Sequence, residues 1–196
     1  MAEQEISKAG SVTHKSRLKW ICITAISTAL FVVLTMCLQV PVFENYYLCL
    51  GYVVMAVYCW SFGTLAGTVV GFFGVILYCV VISGMRGMPG WALGNVVIGL
   101  ALGFCFSESR GMKSRWLRLL LCVPVIVLAC AAGILGVKSL TEHLLYAQPF
   151  AVRAAKNVSA FVADAAMLIL SLPICELLDK QARKIFPELV RKQNDR

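Results

Sequence analysis

The 196-residue chain carries 18 Lys and Arg against 10 Asp and Glu, a formal charge of +8, yet 60% of it is apolar and its mean hydropathy is +0.81. That balance excludes a soluble globular domain, and the length suits about six membrane crossings of roughly 20 residues each, with no separate soluble domain. The cations flank apolar segments instead of forming one patch, so the charge reads as membrane topology and not as a nucleic-acid surface.

Met1–Lys19 reads as a charged cytoplasmic tail. It is no signal peptide, because the apolar run after it is too long and lacks a small-residue cleavage site. The first span is expected over Trp20–Val40, with Ala25 and Ala29 one turn apart as a face for close helix contact, either within the chain or with a partner. Pro41 stops that helix, and Val42–Tyr47 is expected as a short external loop carrying Glu44, with Tyr46 and Tyr47 at headgroup depth.

Leu48–Ile82 has no charged residue, which predicts two tightly packed spans with a break near Ser61-Phe62-Gly63. The second span is then short, Tyr46–Phe62, and the third runs Gly63–Ile82 with glycines at Gly63, Gly67, Gly71 and Gly74. Tyr52 and Tyr78 lie within these spans, and each needs a hydrogen-bond partner if buried, a ligand or a backbone carbonyl. Ser83–Gly90 is a glycine-rich external reversal with a single charge, Arg86.

The stretch after it organises the chain. Trp91–Phe106 is expected as the fourth span, with one strongly polar side chain, Asn95, among Gly94, Gly99 and Gly103. An amide inside a membrane-length apolar run is costly unless it finds a partner. Ser107–Arg115 is a basic internal loop, and the fifth span is expected over Trp116–Val137. The glycine spacing ahead of Lys138 does not fit a P-loop, so no ATP site is expected there.

Lys138–Lys156 is expected as the longest connection, with His143, Arg153 and Lys156 as binding candidates. The sixth span is expected over Asn157–Leu178, with Asp164 about two turns inside, poised either for function or for pairing with a neighbouring helix. Asp179–Arg196 is a charged tail. None of the nine cysteines forms a C-x-x-C pair, and with one histidine outside the tail neither a metal site nor a cofactor is expected.

With six spans both termini share a side. Fourteen of the 18 cations fall there, in the two tails and the Ser107–Arg118 region; Arg86, Lys138, Arg153 and Lys156 fall on the other. The positive-inside rule puts both tails in the cytoplasm. The expectation is therefore an all-α, six-transmembrane-helix bundle over Trp20–Leu178, with a polar site at its outer face. Trp91 would stack against a ring. Asn95 and Asn157 would bond polar edges, and Arg86, Arg153 or Lys156 would hold an anionic tail. Glu44, Tyr52, Tyr78, His143 and Asp164 stand behind these.

Several motifs occur together in order: Ala25-x-x-x-Ala29, Leu50-Gly51-Tyr52, Phe62-Gly63-Thr64-Leu65-Ala66-Gly67-x-x-x-Gly71-x-x-Gly74, Trp91-x-x-x-Asn95-x-x-x-Gly99-x-x-x-Gly103, and Lys156-Asn157 leading to Pro173. In this arrangement the chain resembles the substrate-binding S component of energy-coupling-factor (ECF) vitamin transporters, nearest the riboflavin-transporter-like branch. The resemblance implies capture of a vitamin-like molecule at the external face and no catalysis. It also implies a membrane coupling subunit docking on Ala25 and Ala29, with two cytosolic ATPase subunits. The chain departs from many members in carrying Tyr52 and Val75 where an acid follows the corresponding glycine. The alternatives are an MreD-like membrane scaffold without a small-molecule substrate, and an intramembrane enzyme using Asp164 or His143, for which no acid–base pair at recognisable spacing is present.

Overall fold

A computed structural model describes residues 2–37, 41–43, 46–47, 49–83, 88–112 and 114–187. Seven α-helices carry nearly all of these residues: α1 (Ala2–Cys37), α2 (Gly51–Phe62), α3 (Thr64–Tyr78), α4 (Met88–Ser109), α5 (Arg115–Cys130), α6 (Ser139–Tyr146) and α7 (Phe150–Ile185). Between α1 and α2 a small antiparallel hairpin pairs β1 (Pro41–Phe43) with β2 (Tyr46–Tyr47). Two π-helical stretches, Cys79–Ser83 and Ala131–Lys138, continue α3 and join α5 to α6.

Five of the helical segments are long and apolar enough to cross a membrane: Arg17–Cys37, Thr64–Ile82, Pro89–Ser109, Trp116–Tyr146 and Phe150–Ile185. The sequence reading expects six spans. The segment expected as the second, α2, has 12 helical residues, about 18 Å at the helical rise, against a hydrocarbon core of about 30 Å. Its residues are nonetheless the most enclosed of the bundle, with Tyr52, Met55 and Ala56 at zero exposure. The break falls where the run of small and aromatic residues expects it. Gly63 has φ 97°, a conformation that lets α3 start directly after α2 without a side-chain clash.

The expected boundaries shift at four places. α4 takes in Met88–Gly90 of the expected external reversal and Ser107–Ser109 of the expected internal loop. The backbone is already helical from Ala2, so α1 runs through the segment read as a tail. The expected connection Lys138–Lys156 is mostly helix; only residues 147–149 separate α6 from α7, with Ala147 in the left-handed region at φ 50° and Pro149 preceding the first turn of α7. Its polar residues suggest a loop, but Ser139 and Glu142 turn inward while Leu140, Leu144 and Leu145 face outward, the reverse of a helix in water. At the other end α7 continues past Leu178 to Ile185, through part of the segment read as a charged tail.

Neighbouring helices pack closely. A Cβ at Gly94 would stand 2.6 Å from the Gly133 carbonyl oxygen, and one at Gly133 2.7 Å from that of Gly94, so α4 and the π stretch after α5 approach backbone to backbone. Tyr58 on α2 shares a 2.9 Å hydrogen bond with Thr24 on α1. At the same end, Arg118 on α5 donates at 2.8 Å to Glu176 on α7 and at 2.8 Å to the Met112 carbonyl. Ala25 and Ala29 lie on the exposed side of α1, beside Ile26 and Leu30. All nine cysteines are free, and seven are buried among the apolar side chains.

Candidate functional site

Polar side chains concentrate at the opposite end of the bundle, where α2 begins, α3 ends, α4 begins and α6 meets α7. The first group centres on Tyr52. Its hydroxyl donates to Asn95 Oδ1 at 2.8 Å and accepts from Trp91 Nε1 at 3.0 Å. Asn95, wholly buried, uses its Nδ2 to donate to the Gly71 carbonyl at 3.1 Å. One chain of hydrogen bonds thus ties α2, α3 and α4 together. Asp164, buried on α7, faces the Tyr52 hydroxyl. Tyr78 packs its ring edge-on to Trp91, 5.7 Å between centroids.

The second group lies where α6 and α7 meet. Asn157 Nδ2 donates to Ser139 Oγ at 3.0 Å and to Glu142 Oε2 at 3.2 Å. Ser139 in turn donates to the Ile134 carbonyl at 3.1 Å, inside the π stretch. Arg153 pairs with Glu142 at 3.8 Å, and its guanidinium stands 5.4 Å from the centre of the Tyr146 ring. Lys138 links the groups, lying near both Glu142 and Asp164. A π turn accommodates an extra residue and rotates everything after it by roughly 100°. Here Lys138 closes that stretch, and the inward-facing Ser139 and Glu142 follow it on α6.

Of the residues read from the sequence, the fold brings together Tyr52, Tyr78, Trp91, Asn95, Arg153, Asn157 and Asp164. His143 stands at the edge, with Nδ1 hydrogen-bonded to the Gln148 carbonyl across the α6–α7 turn. Lys156 is exposed on α7 and outside the cluster. Glu44 and Arg86 lie outside the described residues. Both asparagines are occupied by protein partners, so each positions a neighbour: Asn95 holds Tyr52, and Asn157 holds Glu142. Two members, Ser139 and Glu142, are not among the residues the sequence points to, and Lys138 figures there only as one of the four outer cations. The signal for Ser139 and Glu142 was a serine and an acid three apart between leucines, the pattern of a membrane helix with a polar inner face.

A family model for the ECF-type riboflavin transporter, S component, matches residues 15–180. The chain belongs to that family. A UPF0397 protein of Lactococcus lactis subsp. cremoris (strain SK11) is 34% identical over 98 residues, which cover 48% of this chain and 50% of the relative. The chain thus spans about half the length of this curated relative. S components of ECF-type transporters are membrane-embedded transporter subunits and not enzymes, and the match does not favour the scaffold alternative. The polar cluster sits within the matched residues, at one end of the bundle; elsewhere the buried polar side chains among the described residues are hydroxyls and Asp179.

Proposed function

We propose that the chain is the substrate-capturing subunit of an ECF-type uptake transporter, taking a vitamin-sized molecule at the end of the bundle where the polar cluster lies. One observation carries this reading. The chain buries two carboxamides and two carboxylates, Asn95, Asn157, Glu142 and Asp164, with Tyr52 at one end, whereas the buried polar side chains elsewhere among the described residues are hydroxyls and Asp179, which pairs with Arg183; ionisable and amide groups are kept inside a membrane bundle chiefly where they serve a solute. Trp91, backed by Tyr78, offers a face for a ring. Tyr52, Asp164, Arg153, Lys138 and Glu142 offer donors and acceptors, and Asn95 and Asn157 hold Tyr52 and Glu142 in place. The distribution of basic residues supports a reading in which this end lies outside and both termini in the cytoplasm, with α2 as a short sixth crossing. The exposed Ala25/Ala29 face of α1 is the surface on which a membrane coupling subunit would dock, with two ATPases beneath it.

The test is ligand retention. Protein purified in mild detergent from cells grown in rich medium is examined by native mass spectrometry for a bound small molecule. It is then titrated with riboflavin and a panel of other water-soluble vitamins while its thermal midpoint is followed. The expected result is one vitamin retained or bound, with binding weakened by Trp91→Leu. A protein that retains nothing and is stabilised by no vitamin is not a capture subunit.

A further inference from the structure

Among the described residues, two acids and two bases meet in the cluster: Lys138 at the end of the π stretch, Glu142 on α6, and Arg153 and Asp164 on α7. Glu142 and Asp164 are each 6% exposed. Glu142 pairs with Arg153 at 3.8 Å, and Lys138 stands in the fields of both acids and of Arg153. Two acids therefore meet two bases. Their sum is zero, and it stays zero if a proton passes from Lys138 to Asp164. Lys156, which the sequence offers as a further cation, is exposed and turned away, and His143 is engaged with the Gln148 carbonyl.

We propose that this balanced quartet makes the site select neutral ligands and reject their phosphorylated forms, with Glu142 as the residue that sets the discrimination. The inference rests on the capture reading above. An incoming anion that draws Arg153 or Lys138 toward itself weakens the field that holds Glu142 and Asp164, and it must also stand beside these two buried carboxylates, whose repulsion little water screens. A neutral heterocycle meets no such repulsion and can use the same groups as hydrogen-bond partners. Replacing one acid by its amide keeps an acceptor for Asn157 while releasing one unit of positive charge to a ligand.

The experiment uses two matched pairs as probes, riboflavin with its 5′-phosphate and pyridoxine with its 5′-phosphate, titrated against purified full-length protein by equilibrium dialysis. In the wild type, whichever pair binds is expected to bind as the neutral member, by at least about tenfold over the phosphate. Glu142→Gln should move that ratio toward the phosphate by roughly tenfold or more, and Asp164→Asn should move it the same way. Arg153→Met, which removes a cation, should move it in the opposite direction. A merely structural role for these residues would weaken both members together and leave the ratio fixed, so the sign pattern reads charge alone, with monodispersity and helical content checked for each variant. A phosphate bound by the wild type as tightly as its neutral partner overturns the inference and leaves the capture reading standing. An unchanged ratio in Glu142→Gln and Asp164→Asn does the same. If no probe binds and the vitamin panel also fails, the capture reading falls and this inference falls with it.

Discussion

The Tyr52–Asn95 bond joins α2 to α4 through the centre of the polar cluster and lends itself to a quantitative test. In Asn95→Ala the Tyr52 hydroxyl loses the acceptor that now stands 2.8 Å away, inside a site with no exposure at either residue. The Gly71 carbonyl loses its 3.1 Å donor too, but it sits within α3, where the helical ladder already satisfies it. The hydroxyl proton must then turn to Asp164, which faces it, so the cost is the net worth of one buried hydrogen bond, about 0.5–1.5 kcal/mol, plus the cavity left by the amide. Tyr52→Phe orphans Asn95 Oδ1 and Trp91 Nε1 instead and should cost a similar amount. If the bond is real the two losses overlap, and the double variant should be less destabilised than their sum. The expected coupling is about 0.6–1.7 kcal/mol, the range found for hydrogen bonds between membrane helices. The assay is equilibrium unfolding of the four proteins in mixed micelles, followed by helical content and by tryptophan fluorescence. Strictly additive losses would refute the network, since they would mean that Tyr52 and Asn95 do not act through each other.

Other outcomes follow from the packing and the surface. Gly94→Ala should lower stability by about 1–3 kcal/mol, because the new methyl meets a backbone carbonyl that cannot rotate away; an unchanged thermal midpoint in detergent would show that α4 and the π stretch after α5 are not in backbone contact. Arg118→Met should cost about 1 kcal/mol, the low end for a charged hydrogen bond, because the pair with Glu176 is 21% and 29% exposed and partly screened. Glu176→Gln added to it should cost little more, and a full second loss would mean that the two residues are independent. The pair Ala25→Trp and Ala29→Trp, on an exposed face, should leave ligand binding and thermal stability intact while abolishing uptake in cells; retained uptake would remove that face as the docking surface.

Much of the bundle is legible in the order of residues because a bilayer leaves few options. An uninterrupted apolar run such as Leu48–Ile82 favours helix, since no water is available to satisfy its backbone, and Gly63 marks where α2 gives way to α3. Asn95, Asn157 and Asp164 stand out for a related reason: each is a polar group where desolvation is costly. Lys138, Ser139 and Glu142 do not stand out, because a charged stretch reads equally as a loop in water or as the inner face of a helix.

The amino-acid order by itself determined that this chain is a helical membrane protein and which of its polar groups must find partners, because the energy of placing a residue in hydrocarbon depends on its own chemistry. It also marked Trp91 and Asn95 as neighbours on one helix, a matter of spacing alone. Only the tertiary structure decided who those partners are: Tyr52 for Asn95, Glu142 for Asn157 and Arg153. It likewise decided that Arg153 faces Glu142 and that Lys156 lies exposed. Such pairings span α2 to α4 and α6 to α7, and they depend on the rotation of each helix, which the π stretches and the close glycine contacts set and which no local pattern encodes.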